Sequence, residues 1–187
     1  LLAKSRRFNQ TLFRMKFTKY EKMGAYHWRL YQKSPMYRAH VERIKEWVKE
    51  KDTLDVGAGD GLITSILGIQ GVDNEPEAIR LAQEKGVDVV LGDAYHLKFE
   101  DEAFDSILMV DVLEHFEFPK DALKEARRVL VQYLYIVTPP KDLIPGEMDQ
   151  FHYQEWTAEE LKTLVEGEGF ILEGKVLVVT KEKCMYS

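Results

Sequence analysis

The chain has 187 residues, 45% of them hydrophobic and 31% charged, with a formal net charge of −6. That composition excludes wholesale disorder, and the length suits one domain, alone or with an arm. Apolar runs fall short of the roughly 18 residues a membrane span needs, and one cysteine, Cys184, excludes a disulfide framework and predicts a reducing, cytoplasmic setting.

The charge is uneven. Residues 1–45 hold twelve Lys/Arg and two acids, so this segment is +10 and the remainder −16. A basic arm on an acidic body suits RNA, an anionic membrane surface or an anionic substrate, and equally a merely solvated arm. The chain divides into a basic, aromatic N-terminal arm or cap over residues 1–34 and a body over residues 35–187.

Taken in order, Ser34-Pro35 reads as an N-cap followed by proline at the first helical position. Tyr37, Val41, Ile44 and Val48 then share one apolar face of a helix ending near Lys51. Thr53–Val56 is a short buried strand, Gly57–Gly61 a glycine-rich turn, Leu62–Leu67 a helix and Ile69–Asp73 a second strand. Asn74-Glu75-Pro76 starts a helix that Gly86 stops. Val87–Leu91 and Phe104–Val110 are strands ending at Gly92-Asp93 and Asp111. Pro119–Leu130 is a helix, Tyr133–Thr138 a strand, and Thr157 to Glu160 a capping box opening a helix to about Glu166. Phe170–Thr180 is rich in β-formers. This alternation predicts an α/β fold, a doubly wound and mostly parallel sheet covered on both faces.

In such a sheet, ligands sit beyond the carboxyl ends of the strands. Asp55, Asp73, Asp93 and Asp111 all lie in or just after strands, which predicts a polar, hydroxylated and partly cationic ligand. Gly57-x-Gly59-x-Gly61 lets backbone approach it closely. A dinucleotide is disfavoured, because the third glycine is one residue early for the usual helix-packing position and Asp55 would repel a pyrophosphate.

Leu54–Gly61 resembles the first motif of the class I S-adenosylmethionine-dependent methyltransferases (methyltransferase type 11-like). Gly71–Asn74, Leu91–Ala94, Asp111–His115 and Tyr133–Pro139 resemble the elements that follow it, in the same order. The resemblance implies a Rossmann-like, seven-stranded methyltransferase fold with an N-terminal helical arm. It further implies an enzyme using S-adenosyl-L-methionine as cofactor. Asp55, Gly57, Ala58 and Gly59 would hold the methionine end, Asp73 and Asn74 the ribose, Asp93 and Ala94 the adenine, and Asp111 the floor beside the sulfonium. The acceptor is expected to be a small molecule, lipid-linked or glycan-like compounds included, methylated at oxygen or nitrogen. Alternatives are RNA methylation with the basic arm on phosphates, and a non-catalytic cofactor-binding module.

His115, at the rim after the fourth strand, is the expected general base, with Asp111 the other catalytic candidate. Some relatives place a divalent ion on a Glu-x-x-Glu-His set and a distant histidine; here Asp111 shortens the first position, and no metal is assigned to Asp111, Glu114, His115 and His152. Tyr20, Tyr26, His27 and Trp28 in the arm, and His152, are candidates for contacting substrate, although most of these aromatic residues are expected to pack on the core.

Three seams are short for this fold, near Gly68, Leu130 and Val176. Only 16 residues separate Gly57 from Asp73, where about 20 are usual. These gaps, and a first residue other than methionine, predict residues omitted at the seams and before Leu1.

Overall fold

A computed structural model describes residues 19–141 and 151–171. The chain divides into two compact units, one ending at Asp93 and the other beginning at Ala94.

The first unit opens with three helices, α1 (Lys19–Met23), α2 (Tyr26–Lys33) and α3 (Pro35–Trp47). Ser34 caps α3 as its sequence predicts, its side chain accepting from the Tyr37 N–H at 3.2 Å with Pro35 in the first turn. The helix stops at Trp47 rather than near Lys51, because Val48 turns extended. β1 (Thr53–Val56), β2 (Gln70–Asp73) and β3 (Val89–Leu91) pair in parallel with β2 in the middle, Asp55 facing Gly71 and Gly71 facing Val89. Helices α4 (Leu62–Leu67) and α5 (Pro76–Gln83) make the crossovers. All four β1 residues are buried, as expected of a parallel strand covered on both faces.

Gly61 corrects the sequence reading. It does pack a helix, although it stands one residue early: a Cβ there would lie 2.9 Å from the Cβ of Ala82 in α5 and 3.0 Å from Val87. It also caps α4 in the left-handed region at φ +74°, which favours glycine.

The second unit contains β4 (Phe104–Val110), a 3₁₀ turn (Leu113–His115), α6 (Pro119–Val129), β5 (Leu130–Val137) and α7 (Ala158–Gly167). β4 and β5 are parallel. α7 begins with the full capping box, Thr157 accepting from the Glu160 N–H and Glu160 accepting from the Thr157 N–H.

The residues present close both described seams. Gly68 ends α4 in the left-handed region, and the N–H groups of Gly68 and Ile69 both donate to the Thr64 carbonyl, at 2.9 and 3.1 Å. At Leu130 helix passes straight into strand. Phe104 faces Leu130 while Ser106 faces Tyr133, so an irregularity in β5 takes up the missing turn. The described residues form five strands rather than seven. The stretch expected to supply the last two, and the third seam at Val176, lie outside the described residues after Ile171.

Gly61→Ala tests the packing role. Strain at positive φ and crowding against Ala82 and Val87 together should cost about 2–4 kcal/mol, read as a lower urea midpoint at unchanged slope. A loss below about 0.5 kcal/mol would show that neither constraint operates.

Candidate functional site

The glycine loop is held from β2. The N–H groups of Gly57 and Ala58 both donate to the Val72 carbonyl, at 2.9 and 3.0 Å, and the Gly59 N–H donates to Asp73 Oδ2 at 2.7 Å. Gly71 permits this closeness, since a Cβ there would fall 2.6 Å from the Ala58 Cβ. Three consecutive amides of the loop are thus engaged within the protein. A phosphate-cradling loop needs those amides turned to its ligand. This loop offers a ligand carbonyls and carboxylates instead, which accept hydrogen bonds, with Gly57 and Ala58 half-buried and Gly59 buried.

Asp73 is half-buried at the end of β2. Its second oxygen, Oδ1, accepts from the Glu75 N–H at 2.8 Å, so one carboxylate ties the loop after β1 to the turn after β2. Burial pushes its pKa up, and the N–H bonds from Glu75 and Gly59 hold it partly back. Asp55 is buried in β1, and Thr64 Oγ1 in α4 donates to it at 2.7 Å. Desolvation raises its pKa to about 7 against that bond and with the help of the Asp73 charge. A cationic group brought near would favour its ionised form. Asn74 is exposed, and Asp93, half-buried, follows β3 in the same unit.

The arm lies on this loop. Asp60 is fully buried, and its Oδ2 accepts from the His27 N–H at 3.1 Å. His27 Nδ1 lies 3.1 Å from Oδ1, and Trp28 Nε1 donates to the Asp60 carbonyl at 2.8 Å. Tyr20, 5% exposed, sets its hydroxyl so close to Gly59 that a Cβ there would strike it. Burial, then the Tyr26, Asp73 and Asp60 charges, raise the Tyr20 pKa well above the usual phenol value. Tyr26 stacks at a tilt on His27, with centroids 3.9 Å apart. Trp28 also packs on the cluster of Ile79, Ala82, Val87 and Val89, with Lys85 over its ring at 4.8 Å. The arm residues thus cover the loop, and Trp28 chiefly packs.

The sequence reading missed Asp60 and Thr64. Asp60 looks like one more polar loop residue, and its partners are more than thirty positions away. Thr64, a hydroxyl one turn into the helix after an acidic strand, carried the readable signal.

In the second unit, Ala94 and Asp111 are both half-buried. Asp111 follows β4 at φ +48°, a left-handed backbone uncommon outside glycine, while its N–H donates to the Val137 carbonyl at 2.8 Å. Beyond Asp111, the 3₁₀ turn carries Glu114 and His115. Glu114, 1% exposed, accepts from Thr138 Oγ1 at 2.9 Å. Its carbonyl accepts from the Tyr153 N–H at 2.8 Å, which brings His152 beside it, with Nε2 4.0 Å from Glu114 Oε1. His115 Nδ1 lies 3.0 Å from the Phe151 carbonyl, and the two imidazoles meet edge to face at 4.8 Å. His152 Nδ1 bonds Glu155 at 2.6 Å, a partner the sequence reading did not name although His-x-x-Glu spacing offered it.

A glycine loop presenting acceptors, after the first strand of a parallel α/β unit with an acid at the next strand end, defines a nucleoside-cofactor protein of the non-phosphate kind. The comparisons agree: residues 54–136 match the family model described as the methyltransferase domain. An uncharacterised protein of Methanocaldococcus jannaschii is 34% identical over 96 residues, covering 51% of this chain and 47% of its own. The demethylmenaquinone methyltransferase of Thermotoga maritima is 28% identical over 130 residues, covering 62% and 56%. A solved S-adenosylmethionine-dependent methyltransferase of Thermotoga maritima superposes with TM-score 0.70 at 25% identity, covering 82% of this chain and 80% of that one.

The chain has a Rossmann-like α/β fold and, over residues 54–136, is similar to the class I S-adenosylmethionine-dependent methyltransferases. Its cofactor is S-adenosylmethionine. The site chemistry fits that molecule, whose hydroxyls and ammonium donate and whose sulfonium is cationic. The chain spans about half the length of the curated relatives it matches. Among the described residues, no helix is long and apolar enough to cross a membrane.

The raised pKa of Asp55 gives a signed expectation. Its folded value, about 7, exceeds the unfolded value of about 4, so the native state keeps a proton that the unfolded chain releases. This contribution is complete below about pH 4 and lost as pH rises through about 7, by at most about 4 kcal/mol. Asp55→Asn cannot titrate and should remove that slope from urea unfolding of the ligand-free protein. Parallel pH profiles for the two proteins would refute the assignment.

Proposed function

We propose that the protein is an enzyme that transfers a methyl group from S-adenosylmethionine to an oxygen or nitrogen of a small-molecule acceptor. The observation that carries this reading is the engagement of the loop amides by Val72 and Asp73, which leaves an acceptor-rich strand end suited to a hydroxylated cation. The bound cofactor supplies an electrophilic methyl on a sulfonium. The protein's part is to bind, orient and exclude water, since aligning the acceptor atom with that methyl carries most of the rate.

In this reading Asp55 and the surfaces of Gly57, Ala58 and Gly59 receive the methionine end, Asp55 acting chiefly through its field because its carboxylate is buried against Thr64. Asp73 takes the ribose hydroxyls on lone pairs left beside its two backbone bonds, with Asn74 next to it. Asp93 and Ala94 serve the adenine, and Asp111 the sulfonium side. Tyr20, His27 and Trp28, anchored on Asp60 and Gly59, exclude water from the loop and leave Tyr26 among the arm residues for the acceptor. The small-molecule reading is supported by the demethylmenaquinone methyltransferase relative. The division into an arm over residues 1–34 and a methyltransferase domain over residues 35–187 belongs to the same proposal.

Calorimetric titration with S-adenosylmethionine should give one site per chain. Asp73→Ala, removing two charge-assisted bonds, should weaken it about a hundredfold or more, with circular dichroism confirming the fold. Wild-type affinity in the variant would sink the ribose assignment. Methyl transfer from labelled cofactor should appear in pools of small oxygen and nitrogen nucleophiles. Transfer only to RNA, with binding that falls steeply with salt, would replace the acceptor class, and binding without any transfer would leave a cofactor-binding module.

A further inference from the structure

We propose that Asp60 is a positioning residue: it caps the arm helix α2 from within the glycine loop, and so couples docking of the arm to binding of the cofactor. This role rests on the reading that the loop receives S-adenosylmethionine. It goes beyond anchorage, since it makes the fold of the arm and the affinity of the site depend on one side chain.

α2 cannot hold its own first turn. It has eight residues, short of the roughly 12–15 at which an isolated helix becomes even marginal in water. Ala25 stands at its N-cap and supplies no side-chain bond, and its first turn carries no acidic residue. An N-cap side chain takes the backbone N–H of the second or third helical residue. Here the second is His27, and its N–H donates to Asp60 Oδ2 at 3.1 Å, from 33 positions away in the chain. Asp60 thus does for α2 what a local serine or aspartate would do, and it sets a carboxylate where the helix's orphan N–H groups gather. The other end is closed by α3. Arg38 donates from Nε to the Tyr31 carbonyl at 3.0 Å and from Nη2 to the Gln32 carbonyl at 2.7 Å. α2 is strung between the glycine loop and α3, each end finished by another element.

The loop is shaped for this attachment. Gly59 and Gly61 flank Asp60 at φ +56° and +74°, and Asp60 itself is fully buried. Both its carboxylate oxygens meet His27, Oδ1 lying 3.1 Å from Nδ1, while its carbonyl accepts from Trp28 Nε1 at 2.8 Å. α2 in turn places α1. The ring of Tyr26, the first residue of α2, lies 5.4 Å from that of Tyr20, and Arg29 donates to the Met23 carbonyl at the end of α1. Tyr20 covers Gly59, whose N–H is the one that Asp73 holds. The loop conformation that engages Asp73 is therefore the one that presents Asp60 to α2. A ligand that favours this conformation favours the docked arm, and by linkage losing the docked arm lowers the affinity for that ligand.

Hydrogen–deuterium exchange of the full chain, with and without S-adenosylmethionine, reads the docking, and calorimetry reads the affinity. In the wild type the α2 amides should be protected, and more so with the cofactor bound. Asp60→Ala should bring α2 exchange close to that of an unstructured chain while β1 and β2 keep their protection. The same variant should weaken S-adenosylmethionine about tenfold or more. Asp60→Asn, an equally good cap, should keep the protection and stay within about threefold of wild-type affinity. A general packing role for the carboxylate would not give that rescue. α2 amides that stay protected in Asp60→Ala, or that are exposed equally in both variants, overturn the capping. Lost protection at wild-type affinity overturns the coupling. Should Asp60→Ala fail to fold, the wild type decides: the coupling is overturned if the cofactor slows exchange in the glycine loop and leaves α2 unchanged. Asp73→Ala keeps the two readings apart, since wild-type affinity there refutes the loop as the cofactor site whatever Asp60 does.

Discussion

One carboxylate holds the first half of the molecule to its purpose. Asp73 accepts the Gly59 N–H on one oxygen and the Glu75 N–H on the other, fixing the loop after β1 against the turn after β2. Without that bridge the Gly59 amide would lose its partner, while those of Gly57 and Ala58 stay on the Val72 carbonyl. The bridge is costly, since it keeps a carboxylate in partly desolvated surroundings, and only charge-assisted N–H bonds of this quality offset such a cost. A loop built this way has already chosen its ligand's polarity before any ligand arrives.

Two further carboxylates repeat the device. Asp55, in β1 before the loop, is buried with Thr64, and Asp60, within the loop, is buried with His27 and Trp28. The loop and the strand before it thus carry acids held by the Thr64 hydroxyl and the His27 N–H. The arm belongs to this arrangement rather than adorning it: Tyr20 closes the one face of Gly59 that a side chain there would need. The glycine thus serves the protein's own packing as well as any bound molecule. Positive φ at Gly57, Gly59 and Gly61 lets the chain reverse three times within five residues while β1 and α4 stay close.

How much of this could be read in advance depends on the range of the contact. The strands, their acids, the Ser34 cap and the capping box at Thr157 are encoded within four or five residues, and the structure returns them with ends shifted by a few positions. Such shifts arise because tertiary pairing overrides propensity at the termini: β5 begins at Leu130 because Phe104 is there to pair with it. The Gly61 contact with Ala82 and the Asp60 contact with His27 join residues more than twenty positions apart, and spacing in the chain carries no trace of them. The left-handed turn at Asp111 is likewise silent in the sequence, since aspartate there is consistent with an ordinary strand end.

The two halves of the chain use acids in opposite ways. In the first, each buried carboxylate is matched to a fixed donor, so the charge is satisfied by the protein and the site is finished before binding. In the second, Glu114 accepts from Thr138 on one oxygen, its other oxygen lies 4.0 Å from His152 Nε2, and His152 Nδ1 bonds Glu155 at 2.6 Å. Glu114 is 1% exposed, and Phe151 and Glu155 hold the two imidazoles of this cluster by their Nδ1 atoms. A protein that needed only a packed turn could have used an apolar residue at this place at lower cost. The first unit is therefore organised around carboxylates that fixed donors hold, and the turn after β4 around a carboxylate and two imidazoles that Thr138, Phe151 and Glu155 hold.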